Sequence, residues 1–177
     1  MTKHVHLLLT PERKDSASLL MKHLGQRYVQ YVNRTYGRSG TLWGGRFRSC
    51  IASEENYVLR CYRYIELNPV RARMVEHPRE YRWSSYRFNA EESSSKLLRA
   101  HPCYQCLGRN DSERLAAYGA LFCADLDSAI IDEIRQATNG NHALGSERFG
   151  QEAEAALGRR ATRGSPGRPR GGAGMQQ

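Results

Sequence analysis

Two histidines and a tyrosine–asparagine pair are the residues of this chain whose types and spacing fit a chemical site. His4 and His6 lie one residue apart. At that spacing in a strand both imidazoles point to the same face and can reach one divalent cation. Tyr64 and Asn68 lie four residues apart and share one face of a helix, so Asn68 can complete the metal site beside a Tyr64 nucleophile. The combination indicates a metal-assisted enzyme that cleaves a phosphodiester and becomes covalently attached to its substrate.

A second tyrosine in the same helical segment has a comparable partner. Tyr62 and Glu66 are also four residues apart, and a glutamate carboxylate is a good ligand for a hard metal ion. Each pair shares one face of the helix at this spacing. The spacing alone therefore leaves Tyr62 as an alternative nucleophile.

The first elements of the chain must position the two histidines. Residues 4–9 end in three leucines and stop at Thr10-Pro11, a pattern that predicts a short strand buried on both faces. Asp15 or Ser16 can cap a helix that runs to about Tyr36, with Gly37 as its stop. The apolar stripe of that helix consists of Leu20, Leu24, Tyr28, Tyr31 and Val32.

The following elements must position the tyrosine and the asparagine. Residues 40–52 begin with a glycine-rich turn and continue as an alternating segment, which predicts a strand with Arg46 and Arg48 on one face. Ser53 caps the next helix, which runs to about Leu67. Strand, helix, strand and helix in this order predict an α+β fold with helices on one face of a sheet.

The character of the sequence changes after residue 90. A polar linker is followed by segments with helical periodicity, at residues 112–123, 126–138 and about 146–157. From Gly158 the chain is rich in Arg, Gly and Pro, which predicts a disordered basic tail. The chain therefore divides into a catalytic core at 1–90, a helical extension at 91–157 and the tail at 158–177.

The positive charge is concentrated where the candidate site lies. Residues 1–90 carry 16 Lys/Arg against 7 Asp/Glu, whereas residues 91–157 carry 6 against 11. A basic excess around a site favours a polyanionic ligand such as DNA. Trp83 is predicted to pack in the core, whereas core packing and base stacking are evenly balanced for Trp43. The candidate DNA-binding side chains are Arg46, Arg48, Arg60, Arg63, Arg71, Arg73 and Trp43.

Cysteine usage and hydropathy bear on the cellular setting. The five cysteines are odd in number and no secretory segment precedes them, which predicts a reducing, cytoplasmic compartment. Cys103 and Cys106 have the spacing of a zinc knuckle, but no second ligand pair follows at a suitable distance. No apolar run approaches the length of a membrane span. The sequence predicts a soluble protein with no membrane partner.

Several blocks of the chain resemble one family. The run His4-Val-His-Leu-Leu-Leu-Thr-Pro11 resembles the His-hydrophobic-His motif of the HUH endonucleases. Three later blocks look like successive blocks of the single-tyrosine transposases in that family, and the likeness is greatest to the bacterial REP-associated tyrosine transposases. These blocks are Gly40-Thr-Leu-Trp-Gly-Gly-Arg-Phe47, Tyr64-Ile-Glu-Leu-Asn-Pro-Val-Arg-Ala72 and Tyr81-Arg-Trp-Ser-Ser-Tyr86.

The resemblance implies a fold, a reaction and a set of site residues. The fold would be a ferredoxin-like antiparallel sheet with helices on one face. His4, His6 and Asn68 would bind one Mg²⁺ or Mn²⁺, and the family block favours Tyr64 over Tyr62 as nucleophile. The reaction would cut single-stranded or hairpin DNA through a 5′-phosphotyrosine intermediate and rejoin it by strand transfer. The protein would act as a monomer or homodimer, associated with the nucleoid when bound to DNA.

The position of the histidines carries a further expectation. Members of the family have a strand and a helix before the His-hydrophobic-His motif, whereas His4 here follows Met1-Thr2-Lys3 directly. We therefore expect an N-terminally truncated copy that lacks the first strand and helix of the sheet. A catalytically inactive, nucleic-acid-binding remnant of a transposase is the second interpretation of the sequence.

Overall fold

The structure is a computed structural model that describes residues 4–163, apart from the side chains of residues 54–56. Helices make up most of it. In chain order the elements are α1 (Ser16–Thr35), β1 (Ile51–Ala52), α2 (Glu54–Glu66), α3 (Asn68–Arg71), a 3₁₀ turn (Pro78–Glu80), α4 (Tyr86–Ala90), α5 (Pro102–Gln105), α6 (Asp111–Ala120), α7 (Ser128–Gly140), β2 (Ala143–Leu144) and α8 (Glu147–Leu157).

The predicted ferredoxin-like antiparallel sheet with helices on one face is wrong. Within residues 4–163 the sheet consists of β1 and β2 alone, which pair in parallel with Ile51 opposite Ala143 and Ala52 opposite Leu144. The prediction failed because the partner of β1 comes from the C-terminal extension, far along the chain. The fold is instead a mainly helical assembly with one short parallel strand pair.

Both predicted strands of the first half differ from the structure. Residues 4–9 form no strand, and Val5 and all three leucines of the segment are exposed. A strand requires a neighbour for its backbone groups, and no strand within the described residues pairs with this one. The strand predicted at 40–52 shrinks to β1, so Arg46 and Arg48 lie in the loop before it.

The first helix is confirmed in its bounds but not in its packing. α1 begins at Ser16 and ends at Thr35, and Gly37 follows with a φ of 59°, the left-handed conformation that glycine adopts without strain. Val32 is buried, whereas Leu20, Leu24, Tyr28 and Tyr31 of the predicted apolar stripe are exposed. Within the described residues α1 therefore presents most of its apolar stripe to solvent.

The core lies between α2, α7 and the strand pair. Cys61 and Tyr64 on α2 join Ile134 and Ala137 on α7 and Leu144 on β2 in one buried cluster. α2 belongs to the predicted catalytic core, while α7 and β2 belong to the predicted extension. The two segments thus share one hydrophobic core. None of the described helices is both long and apolar enough to cross a membrane.

The three helices predicted after residue 110 are confirmed, as α6, α7 and α8. α8 ends at Leu157, and Gly158 caps it in the left-handed conformation. The next residues are then held by the carboxylate of Glu154, which accepts hydrogen bonds from the backbone of Ala161 and from the backbone and hydroxyl of Thr162. The start of the predicted disordered tail is therefore folded as far as residue 163, and residues 164–177 lie outside the described residues.

Candidate functional site

The end of α2 positions the two residues of the tyrosine–asparagine pair. α2 ends at Glu66, Leu67 serves as the junction, and α3 begins at Asn68. Pro69 occupies the first turn of α3, where its missing N–H costs no helical hydrogen bond. The predicted helix end near Leu67 is confirmed. Tyr64 lies one turn before the junction, and Asn68 opens the next helix.

The histidines lie against this junction, although 58 positions of sequence separate His6 from Tyr64. The ring centroids of His4 and His6 are 5.0 Å apart in an edge-to-face arrangement. The His6 ring is also edge-to-face with Tyr64, at 5.6 Å between centroids. A cleft of about 200 Å³ is lined by His4, Val5, His6, Ile65, Pro69, Tyr81, Trp83 and Ser84. The structure therefore brings the histidine motif to Tyr64, beside an open cleft.

Arg71 is the cation at the centre of the site. Its guanidinium carbon lies 4.7 Å from the centroid of the Tyr64 ring, a cation–π geometry. Its Nη2 donates to the Asn68 side-chain oxygen at 2.8 Å and to the backbone carbonyl of Tyr64. Burial lowers the pKa of Arg71, and its Nε and Nη1 are buried without a partner among the described residues. Two charged donors are therefore left for an anionic ligand.

His6 is held in its neutral form. Burial lowers the pKa of His6 to about 4, and the neighbouring His4 and Arg71 act in the same direction. At neutral pH the imidazole therefore carries a lone pair that can bind a cation or accept a proton.

The donor set fits a divalent cation in part. Neutral imidazoles suit Mn²⁺ or Zn²⁺ better than Mg²⁺, which prefers oxygen ligands. The side-chain oxygen of Asn68 already accepts from the Arg71 guanidinium, so it has one lone pair left for a metal. No group of three or more His, Cys, Asp or Glu side chains within residues 4–163 is arranged for a metal ion. His4 and His6 are thus the residues that would hold the cation, and the Asn68 oxygen is shared with Arg71.

Tyr64 itself is largely buried. It is 9% exposed and belongs to the core cluster with Cys61, Leu126 and Ile134. Leu126 and Ile134 come from the helical extension, so this segment packs on the helix that carries the candidate nucleophile. Attack on a phosphate requires the phenol oxygen to reach the ligand, and the extension limits that access.

The alternative pair, Tyr62 and Glu66, occupies a different environment. Tyr62 packs against Tyr118 at 6.2 Å between ring centroids, and burial raises its pKa. The Glu66 carboxylate is fully buried and accepts hydrogen bonds from Ser85, Asn89 and Tyr118, at 2.5, 2.7 and 2.7 Å. Its two oxygens are thus occupied by protein donors. Glu66 therefore belongs to a buried polar network that the sequence did not reveal, and its oxygens contact these donors rather than a site beside Tyr62.

The predicted DNA-binding arginines are dispersed. Arg63 donates to the backbone carbonyl of Ala124 and lies 5.9 Å from the Phe122 ring centroid, so it binds the extension. Arg60 lies over the ring of Tyr57 on its own helix. Arg73 is exposed and has a φ of 54°. Of these arginines on and after α2, Arg71 alone contacts Tyr64 and Asn68 within the described part of the chain.

The remaining predicted DNA-binding residues lie before β1. Arg46 is exposed, and Arg48 donates to the side chain of Asn139 on α7. Trp43 is 41% exposed and rests on α1, where its indole N–H donates to the Gly25 carbonyl at 3.4 Å. None of these three residues shares a hydrogen bond or a ring contact with Arg71 in the described part of the chain.

Trp83 is a residue that the sequence placed wrongly. The predicted core position is contradicted, because Trp83 is 74% exposed at the cleft shared with the histidines. The Arg82 guanidinium lies 4.3 Å from its ring centroid. The ring of Trp83 therefore offers a flat apolar surface beside the site. The polar neighbours Arg82 and Ser84 were the only sign of this exposure in the sequence.

No family model matches the chain, and neither a curated protein nor a solved structure matches it. The resemblance to the single-tyrosine transposases therefore stays an interpretation based on the residues themselves. The functional assignment has to be argued from the contacts around Tyr64.

Proposed function

We propose that this chain cleaves single-stranded DNA and transfers the cut strand through a covalent bond to Tyr64, as a transposase of the single-tyrosine type. The observation that carries the proposal is the approach of the His6 ring to Tyr64, at 5.6 Å between centroids, next to the Asn68–Arg71 hydrogen bond. A packed tyrosine at the end of a helix has no structural need for two histidines and a partly unpaired arginine around it.

The reaction follows from the chemistry of these side chains. The Tyr64 phenol oxygen attacks the phosphorus, a bond forms between them, and the bond from phosphorus to the 3′ oxygen breaks. The phenol gives up its proton, and the leaving 3′ oxygen gains one, which leaves a 5′-phosphotyrosine and a free 3′-OH. A second 3′-OH reverses the step and joins two strands without a further energy source.

Each neighbour has a separate task in this scheme. The Arg71 guanidinium, with Nε and Nη1 unpaired in the described structure, neutralises phosphate charge and helps to fix its orientation. Neutral His6 can accept a proton or, with His4, hold a divalent cation. Such a cation, when bound, withdraws charge from the phosphoryl oxygens. Trp83 offers a face for an unpaired base at the cleft.

A nucleic-acid-binding protein without cleavage activity is the second candidate. Two observations favour it, namely the low exposure of Tyr64 and the use of the Asn68 oxygen by a positively charged side chain. Both reduce the availability of the groups that the reaction needs. Binding through the basic residues requires neither of them.

The deciding experiment measures a covalent adduct. The chain is incubated with hairpin-bearing single-stranded DNA labelled on the 5′-phosphate side of the cut, with Mn²⁺ present, and denaturing electrophoresis detects labelled protein. We expect an adduct that Tyr64→Phe abolishes, that EDTA prevents and that the matched control Tyr62→Phe retains. Salt-sensitive DNA binding without any adduct would support the second candidate. An adduct that survives Tyr64→Phe and disappears in Tyr62→Phe would reverse the assignment.

A further inference from the structure

The segment from α1 to β1 has an unusual charge composition. Residues 16–50 contain six basic side chains and no acidic one. These are Lys22, Arg27, Arg34, Arg38, Arg46 and Arg48. Among the ion pairs of the described side chains, residues 4–53 and 57–163, none involves these six residues. The segment therefore presents positive charge that no carboxylate within the described structure neutralises.

The same segment exposes aromatic rings. Tyr31 is 62% exposed and Tyr36 is 69% exposed, although both rings are large enough to contribute substantially to a core. Tyr28 and Trp43 are also exposed, at 50% and 41%. Exposed aromatic rings among unpaired arginines differ from an ordinary solvated surface, where isolated charges predominate.

The rings and charges are held next to one another. Tyr28 and Trp43 have ring centroids 5.9 Å apart, and Trp43 is fixed to α1 through the Gly25 carbonyl. The Asn33 side-chain amide donates to the Gly40 carbonyl at 2.9 Å, which ties the loop to the end of the helix. The Trp43 ring in the loop is thus held in place by contacts with α1.

The helix places its own residues on the same side. Arg27, Tyr31 and Arg34 follow one another at spacings of four and three, so they line one face of α1. Tyr28 lies three residues before Tyr31, and it joins that face to Trp43. We name the resulting patch the aromatic–basic surface; it consists of Arg27, Tyr28, Tyr31, Arg34 and Trp43.

We infer that the aromatic–basic surface binds single-stranded nucleic acid, with bases stacked on its rings and phosphates on its arginines. Base stacking on exposed aromatic side chains combined with backbone contacts from basic residues is how proteins hold single strands without reading sequence. The surface has both components and no acidic residue to repel phosphates. This binding shares with the proposed function only the class of ligand, because neither Tyr64 nor the histidines belong to the surface.

The charge of the surface argues against a second copy of the chain as its occupant. A twofold contact brings the same patch of both copies together, which would place Arg27 and Arg34 near their own counterparts with no acid to pair them. Like charges that are buried together are destabilising. A polyanion has the complementary charge.

The test uses the full chain carrying Tyr64→Phe, so that binding is measured apart from cleavage. Fluorescence anisotropy measures the binding of labelled oligo(dT) and oligo(U) of about 20 nucleotides, which is long enough for one binding site. Comparing the two oligonucleotides shows whether the surface binds DNA, RNA or both. The variant Tyr28→Leu/Tyr31→Leu keeps apolar side chains but removes two flat rings of the surface. We expect it to weaken binding by on the order of tenfold or more, since stacking one base contributes about that much.

The charge component is tested with a matched pair of variants. Arg27→Gln/Arg34→Gln removes two charges from the surface, and Arg109→Gln/Arg148→Gln removes two exposed charges from the extension. We expect only the first to weaken binding and to reduce the salt dependence, by about 0.7 in the logarithmic slope for each phosphate that is no longer neutralised. Circular dichroism confirms that each variant is folded.

Three results would overturn the inference. Equal effects of the two arginine variants would mean that net charge, rather than this surface, attracts the oligonucleotide. Unchanged binding in Tyr28→Leu/Tyr31→Leu would contradict the stacking of bases on these rings. Another occupant would be identified if dimerisation of the chain, or its binding to anionic lipid vesicles, competed with the oligonucleotide at this surface. Oligonucleotide binding that depends on the surface, without any adduct from the unmutated chain, would uphold the inference while the proposed function fails.

Discussion

The hydrogen bond from Tyr118 to Glu66 is the interaction whose removal has the clearest expected consequence. Both side chains are fully buried, and the Tyr118 hydroxyl donates to Glu66 Oε2 at 2.7 Å. The bond links α6 of the extension to the end of α2, two residues after Tyr64. Tyr118→Phe deletes the hydroxyl and keeps the ring, which packs against Tyr62, Tyr104 and Phe122.

The magnitude follows from what remains of the network. In the variant, Glu66 Oε1 still accepts hydrogen bonds from Ser85 and Asn89. Oε2 loses the Tyr118 hydroxyl, and the carboxyl group is buried. A typical hydrogen bond contributes about 0.5–1.5 kcal/mol to stability, and leaving a buried acceptor without its donor costs about 1–3 kcal/mol. We expect the free energy of unfolding to fall by about 2 kcal/mol, which corresponds to about 4–8 °C in Tm for a chain of this size.

Urea denaturation followed by circular dichroism measures the destabilisation. Tyr36→Phe is the matched control, because the same hydroxyl is deleted from a side chain that is 69% exposed, and surface changes of this kind stay within about 0.5 kcal/mol. A destabilisation by Tyr118→Phe no larger than that of the control would refute the reasoning, since it would mean that Oε2 finds another donor or that the site is hydrated.

Two further predictions concern the extension and the core. Three donors from Ala161 and Thr162 lower the pKa of the Glu154 carboxyl. The stability that these hydrogen bonds contribute is therefore present above the ordinary carboxyl pKa and is lost as the pH falls through the lowered pKa. Hydrogen exchange should show the amides of Ala161 and Thr162 losing protection on acidification, and in Glu154→Gln they should be less protected already at neutral pH. Burial raises the pKa of the Cys61 thiol to about 12, so iodoacetamide at mildly alkaline pH should label exposed Cys123 well before Cys61, and equal rates would contradict the burial of Cys61.

Helices with local signals were predictable from the sequence. α1 has a glycine stop that adopts the left-handed conformation, and α7 begins after Asp127, whose side chain accepts from the Ala129 amide. α8 is capped in the same way by Ser146. Periodicity and caps are properties of neighbouring residues, and a single sequence shows them directly.

The strands depended on distant partners and were not predictable. β1 pairs with residues that follow α7, far along the chain, and nothing in residues 40–52 indicates that partner. The run of leucines after His6 looked like a buried strand because of its composition, yet Leu7, Leu8 and Leu9 are exposed. A strand pattern describes what a segment can pair with, and the pairing itself is decided by the rest of the fold.

The candidate site combines both kinds of information, and this explains what its structure adds. The spacing of Tyr64 and Asn68 is local and visible in the sequence, whereas the approach of His6 and the burial of Tyr64 arise from long-range packing. The same packing against Leu126 and Ile134 that stabilises α2 also restricts the phenol. If Tyr64 attacks a phosphate, its phenol oxygen must reach the ligand from a side chain that is only 9% exposed, so packing of the core and access to the nucleophile oppose one another. A covalent adduct would therefore report both the identity of the nucleophile and the ability of this chain to expose it.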